Sequence, residues 1–240
     1  MILFIKHISI EGPETIGDFF TSKGYQINSV ELGNGGRLPE NLNSLEAVIS
    51  LGGPMNVYEE DQYPFLKAED DFIKKVMDQK IPFLGICLGA QLLSKACHAK
   101  VGKSPQKEVG FYKIYLTEDG AGDPIFNGLE KEMEVFQWHE DMFDIPLTGN
   151  AALLARSQAC PHQAFRVGPC AYGFQFHVEI TDQSIKSWAD AYFKKGDPVL
   201  ERKAQSMLED YKKKKNQMNA AAYKIYENFL KIMARHTIKV

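Results

Sequence analysis

The sequence predicts a three-layer α/β domain, with helices on both faces of a mixed, mostly parallel sheet, followed by a helical C-terminal extension. Three observations lead there. Short apolar runs alternate with helix-spaced segments over residues 2–98. Two of those runs end in glycine-bearing turns. The chain has 240 residues, 44% of them apolar, which suffices for one sizeable core.

Taken in order, Ile2–Ile8 reads as the first strand. Glu11-Gly12-Pro13 turns the chain, and Glu14–Lys23 places Ile16, Phe19 and Phe20 on one helical side before Gly24, a residue that commonly follows a helix. Tyr25–Leu32 is a second strand. Ala47–Leu51 is apolar almost without break, the pattern of a strand covered on both faces. Phe65–Gln79 is a helix with Leu66, Phe72, Ile73 and Val76 inward; Pro82–Ile86 is a fourth strand and Leu88–His98 the helix leaving it. Alternation of this kind builds parallel pairs with helices on the faces. Ligands of such sheets sit beyond the carboxyl ends of the strands. Leu51-Gly52-Gly53-Pro54 and Ile86-Cys87-Leu88-Gly89 fall at two such ends.

From Phe111 to Phe176 the pattern turns β-rich, with strands expected at Phe111–Thr117, Glu134–Trp138, Ala152–Ala155, Gln163–Val167 and Ala171–Phe176. Glu118-Asp119-Gly120 reads as a turn. These strands extend the same domain as an antiparallel or mixed sheet. After Lys195 the composition changes. Gly196-Asp197-Pro198 is a turn or helix start. Leu200, Ala204, Met207, Leu208 and Tyr211 form one helical stripe, and Met218, Ala222, Ile225, Phe229 and Ile232 a second, with the basic run Lys212–Lys215 between them. The expectation is a catalytic domain over 1–193 and a helical extension over 194–240. The extension would pack on the core with its lysines solvated; a second copy of the chain is the alternative surface for its stripes, which leaves a homo-oligomer open.

Charge excludes one large class of function. Lys and Arg number 28 and Asp and Glu 31, a formal charge of −3, which argues against nucleic-acid binding through bulk positive charge. The N-terminal apolar run Met1–Ile5 stops at Lys6, too short for a leader or a bilayer span, so no membrane partner and a cytoplasmic location are expected. The four cysteines, Cys87, Cys97, Cys160 and Cys170, are too few and too irregular for a disulfide framework. His139, Glu140, Asp141 and Cys160-Pro161-His162 are ligand-type residues, but their spacing fits no common metal site. No metal and no cofactor are expected.

Reactive chemistry concentrates in three segments. In Phe83-Leu84-Gly85-Ile86-Cys87-Leu88-Gly89-Ala90-Gln91 an apolar strand ends in Gly-x-Cys-x-Gly and passes directly into a helix. This is a nucleophile elbow with cysteine in place of serine. The helix N-terminus favours the thiolate, and the N–H of Leu88 faces a developing oxyanion. A thiolate needs a base and the base an orienter. In Gly173-Phe174-Gln175-Phe176-His177-Val178-Glu179, residues 177 and 179 point the same way if the chain is extended, so Glu179 can hold one imidazole nitrogen while the other faces Cys87. Leu51-Gly52-Gly53-Pro54-Met55 lets backbone approach a substrate, with the N–H of Gly53 as a second oxyanion donor. Taken alone, each segment also has a structural reading: a packed cysteine, a satisfied His–Glu pair, an ordinary turn.

Together, Gly52-Gly53-Pro54, Gly85–Gln91 and Phe174–Glu179 resemble the three signature segments of class I glutamine amidotransferases, in that family's order and spacing. Trp138-His139-Glu140-Asp141 with Phe143-Asp144-Ile145-Pro146 further resembles the stand-alone branch near the glutaminase domain of GMP synthase. The resemblance covers roughly residues 1–193. It implies the flavodoxin-like class I amidotransferase fold. It also implies that Cys87 attacks the side-chain amide of glutamine to form a γ-glutamyl thioester, with His177 as proton carrier and Glu179 as its orienter. The N–H groups of Gly53 and Leu88 would form the oxyanion hole, and Gln91 with the backbone around Trp138, His139 and Glu140 would line the glutamine pocket. Val178 stands where the family usually has proline. Glu140 stands where this branch often has glycine; a carboxylate there could favour a cationic group or point to solvent.

The expected function is a glutaminase that supplies ammonia to a separate synthetase or other acceptor polypeptide, since the chain shows no phosphate-binding loop and no room for a synthetase domain. A free-standing γ-glutamyl peptide or amine hydrolase with the same triad is the rival. A non-catalytic regulatory module is the third possibility.

Overall fold

The computed structural model describes residues 1–147 and 150–237; residues 238–240 of the expected extension lie outside them. In chain order the elements are β1 (Ile2–Lys6), α1 (Glu14–Ser22), β2 (Ile27–Glu31), β3 (Ala47–Ser50), α2 (Phe65–Asp78), β4 (Phe83–Ile86) and α3 (Leu88–Ala96). There follow β5 (Val101–Leu116), α4 (Glu118–Gly122), β6 (Glu132–Phe143), β7 (Ala151–Ser157), β8 (Ala164–Val167), β9 (Ala171–Phe174), α5 (Asp182–Tyr192) and α6 (Pro198–Thr237).

Among the described residues, the nine strands form one sheet in the order β2-β1-β3-β4-β9-β8-β7-β5-β6. The first five run parallel, and every pairing from β9 through β6 is antiparallel. Alternate side chains of the parallel strands feed two cores. Ile2, Phe4, Ile49, Leu84, Ile86 and Phe174 pack on one side with Phe19 and Phe20 of α1 and Ile225, Tyr226 and Phe229 of α6. Leu3, Ile5, Val48 and Phe83 pack on the other with Leu66, Phe72 and Ile73 of α2 and Leu92 and Leu93 of α3. A third cluster joins Val109, Phe136, Ile185, Trp188, Met207 and Tyr211.

Three sequence expectations change. The strand expected at Phe111–Thr117 begins ten residues earlier, at Val101, and pairs antiparallel with β6, which also outruns the expected Glu134–Trp138. Gly102, Pro105 and the lysines disguise it; the register shift between Lys103 and Glu108 accommodates the proline, as bulges do. Glu118-Asp119-Gly120 is not a bare turn but the start of α4, capped by the Thr117 hydroxyl, which accepts from the Gly120 N–H. The tail is one helix of 40 residues, not two. Lysine is a good helix former, and no Gly or Pro interrupts the stretch, so the helix runs through the basic segment. Lys214 is not simply solvated: it pairs with Glu134 and lies 5.0 Å over the Phe111 ring. Among the described residues, no helix is long and apolar enough to cross a membrane.

Candidate active site

Strand order brings the chemistry together. β3, β4 and β9 are adjacent and parallel, so their carboxyl ends open on the same edge of the sheet. Gly52-Gly53 follows β3, Cys87 follows β4, and His177 and Glu179 follow β9. Ninety residues of sequence between Cys87 and His177 reduce to one strand spacing.

The turn at Cys87 is strained. Cys87 sits at φ 51°, ψ −106°, outside the regions open to L residues, immediately before α3. A Cβ on Gly85 would lie 2.4 Å from the Gly89 oxygen, and one on Gly89 would lie 2.2 Å from the Ser50 oxygen, so strand and helix approach too closely for any side chain at either place. The Cys87 sulfur lies 3.7 Å from the Gln175 amide nitrogen, which donates to it, and 3.9 Å from the Trp138 carbonyl.

His177 is buried. Its Nδ1 is 2.7 Å from Glu179 Oε1, and it lines the same cleft as Cys87, close enough for the two to interact electrostatically. Burial alone pulls the imidazolium down; the Glu179 charge and hydrogen bond, together with the Cys87 side chain, outweigh it and hold His177 well above the usual imidazole range. Trp188 packs edge-on against the ring at 4.7 Å, and the backbone N–H of His177 donates to the Phe136 carbonyl. The segment is also gripped from outside the sheet. Tyr226 of α6 donates to the Val178 carbonyl at 2.9 Å, Tyr211 to the Ile180 carbonyl at 3.1 Å, and Thr15 to the Glu179 carbonyl at 3.1 Å. The helical tail thereby fixes both sides of Glu179.

These residues open into a cleft of about 310 Å³. Gly53, Cys87, Gln91, Trp138, His139, Glu140 and His177 all line it; Glu179 lies behind His177. Among the described residues, neither the Gly53 nor the Leu88 N–H is taken by another backbone group outside the regular elements. Gln91 does not point free into the cleft: its amide donates to the Asp141 carbonyl and to Gln175 Oε1, both at 3.2 Å. Glu140 stands at the mouth, exposed and ion-paired with Lys107, which holds its carboxyl below the usual range. Its charge is therefore compensated, and Lys103 and Lys107 line the same rim.

Residues that sequence reasoning passed over complete the lining. Glu11 is buried, accepts from the Tyr192 hydroxyl at 2.6 Å and faces His177 across Gly52: a Cβ on Gly52 would lie 2.3 Å from Glu11 Oε2 and 3.0 Å from His177 Cε1. Burial pushes the Glu11 carboxyl up, and His177 and Tyr192 draw it back only in part. No sequence signal marks Glu11; its place follows from β1 lying next to β3 in the sheet. Tyr192 and Phe193, at the end of α5, carry none.

A second Cys-His-Glu grouping exists. Ligand atoms of Glu108, His139 and Cys160 lie within 4.8 Å of one another. His139 Nε2 is 2.9 Å from Glu108, its Nδ1 is 2.9 Å from the Asp141 carbonyl, and Glu108 also accepts from Ser157 and Gln163. The Cys160 thiol, pushed up by burial, donates to the His162 carbonyl. Only His139 of the three reaches the cleft. Glu108 and His139 are bonded to each other and all three residues to their neighbours, so we read the grouping as a polar strut joining β5, β6 and β7.

Comparison with known proteins agrees with this fold. A model of the family "Glutamine amidotransferase class-I" matches residues 21–188. The chain is 34% identical over 186 residues, 76% of its own length and 77% of the relative's, to the glutamine amidotransferase-like protein YfeJ of Salmonella typhimurium. It is 34% identical over 134 residues to a glutamine-hydrolyzing GMP synthase subunit of Pyrococcus abyssi, covering 55% of this chain and 65% of that one. It spans only 27% of the GMP synthase of Thermosipho africanus, at 35% identity. The crystal structure of a glutamine amidotransferase from Thermotoga maritima superposes with a TM-score of 0.85 at 32% identity, over 95% of this chain and 96% of that one. The chain belongs to the class I glutamine amidotransferase family.

Proposed function

We propose that the chain hydrolyses the γ-amide of glutamine through a Cys87 thioester, passing ammonia to an acceptor on another polypeptide. The observation that carries the reading is the strained Cys87 elbow sharing one cleft with a histidine that Glu179 holds. His177 takes the thiol proton as sulfur attacks the amide carbon. The oxyanion forms opposite the N–H groups of Gly53 and Leu88. His177 returns the proton to the departing nitrogen, releasing ammonia and leaving the thioester. Water, deprotonated by His177, then attacks the thioester carbon; sulfur leaves and recovers the proton, and glutamate is freed. Likeness to a protein named as one subunit of a GMP synthase supports a separate acceptor.

Glu11 favours a second reading, a γ-glutamyl amine hydrolase. A buried carboxyl group that faces His177 on the cleft wall can accept a hydrogen bond from a substituted leaving nitrogen. The test measures ammonia release from glutamine beside amine release from γ-glutamyl amines and γ-glutamyl peptides. Turnover of glutamine with kcat/KM above that of the others supports the glutaminase. Silence on glutamine with turnover of the amines, lost in Glu11→Gln, replaces it with the hydrolase.

A further inference from the structure

The geometry points to His7 as the positioning residue that builds the oxyanion hole from within this chain, so that the hole stands formed without a partner. This rests on the proposed use of the Gly53 N–H.

His7 follows β1 and is fully buried beneath the Gly52-Gly53 turn. Its Nδ1 is 2.9 Å from the Gly52 carbonyl oxygen. A carbonyl only accepts, so Nδ1 carries a proton and donates. Its Nε2 is 2.7 Å from Glu69 Oε2, and Glu69 Oε1 accepts from the Ser50 hydroxyl at 2.6 Å. Ser50, Glu69 and His7 thus form a buried relay ending on one peptide oxygen. The peptide between Gly52 and Gly53 is planar and trans, as no cis bond occurs among the described residues. In a trans peptide the C=O and the following N–H point in opposite directions. A carbonyl pinned toward His7 therefore turns the Gly53 N–H away from it, and Gly53 lines the cleft with Cys87 while His7 does not. Gly53 and His7 are closely packed, because a Cβ on Gly53 would lie 2.8 Å from the His7 Cβ. No substrate group needs to touch His7 for it to set where the oxyanion is received.

Two substitutions separate this role from mere packing. Asn at position 7 presents its amide N–H where Nδ1 lies, so His7→Asn keeps the bond to the Gly52 oxygen and gives up Glu69. Gln reaches to the place of Nε2, so His7→Gln keeps Glu69 and leaves the Gly52 carbonyl unheld. Both retain a buried polar side chain, and thermal unfolding checks that both fold. The isolated chain is assayed on its best γ-glutamyl amide, and Cys87 is alkylated in parallel with iodoacetamide, which needs the thiolate but no oxyanion donor. The expected result is partner-free turnover by the wild type. His7→Asn stays within a few-fold of it, and His7→Gln loses about 10²-fold in kcat, the scale of one lost oxyanion donor, with KM little changed. Alkylation rates are the same in all three. Equal kcat for the two variants, or alkylation that slows in step with kcat, overturns the role of His7 while leaving the glutaminase reading intact. A wild type active only with an added partner overturns the self-sufficient hole. A wild type that turns over no γ-glutamyl compound, with or without partner, removes the underlying reading and the inference with it.

Discussion

Adding a single methyl group at Gly89 tests how tightly the turn that carries Cys87, the proposed nucleophile, is held. Its Cβ would lie 2.2 Å from the Ser50 carbonyl oxygen and 2.6 Å from the Ser50 hydroxyl. Both obstacles are fixed: the oxygen is β3 backbone, and the hydroxyl is committed to Glu69. Ordinary contact requires the ends of β3 and α3 to separate by about 1 Å. The strain falls on the turn that carries Cys87 and Leu88, and through Ser50 on the relay beneath Gly52. Misplacement of about 1 Å at a reacting centre costs about 10²-fold in rate. Overpacking costs about 1–3 kcal/mol, and at this size each kcal/mol lowers Tm by about 2–4 °C. Gly89→Ala should therefore lose about 10²-fold in kcat, with a Tm lowered by several degrees. Gly102→Ala is the control, since a Cβ there meets nothing within 4 Å. Steady-state release of ammonia and thermal unfolding read both quantities. Wild-type kcat in Gly89→Ala would refute the claim that close strand–helix approach sets the geometry of the elbow.

Other expectations follow from the contacts around the triad and the tail. Glu179→Gln removes the charge that holds the His177 imidazolium up, so the ascending limb of the pH–rate profile, where the base loses its proton, should move to lower pH; kcat should fall by about 10³–10⁴-fold. A profile that stays in place would remove Glu179 from that role. Tyr226→Phe deletes the bond to the Val178 carbonyl and should cost about 1 kcal/mol in urea unfolding, with a few-fold loss of kcat. Phe229→Ala, fully buried between α6 and the sheet, should cost about 3–5 kcal/mol by the same measurement; a loss below about 1 kcal/mol would mean that the tail is not part of the core.

The sequence displays strongly whatever is periodic and local. The β3 and β4 strands are covered on both faces and read as continuous apolar runs, so they and the glycine turns after them were legible, as was the elbow. Strand order was not, because pairing between β4 and β9 joins segments far apart in sequence. The first ten residues of β5 were hidden by Pro105 and its lysines, which the bulge at the sheet margin tolerates. The tail read as two helices because its two stripes serve different cores: Met207 and Tyr211 meet the cluster around Trp188, while Ala222 to Met233 meet the one around Phe20. His7 and Glu11 gave no signal of their own. Their roles come from lying beyond β1, whose neighbour β3 carries the Gly52-Gly53 turn. The sequence also could not separate Cys87 from Cys160 by burial, since both thiols are inside; the cleft reaches only the former.

That last distinction gives the most direct measurement of the central claim: glutamine turnover by Cys87→Ala beside Cys160→Ala, both confirmed as folded. Complete loss in the first and near wild-type rates in the second are expected. Persistent turnover without the Cys87 sulfur, or loss only without that of Cys160, would contradict the account.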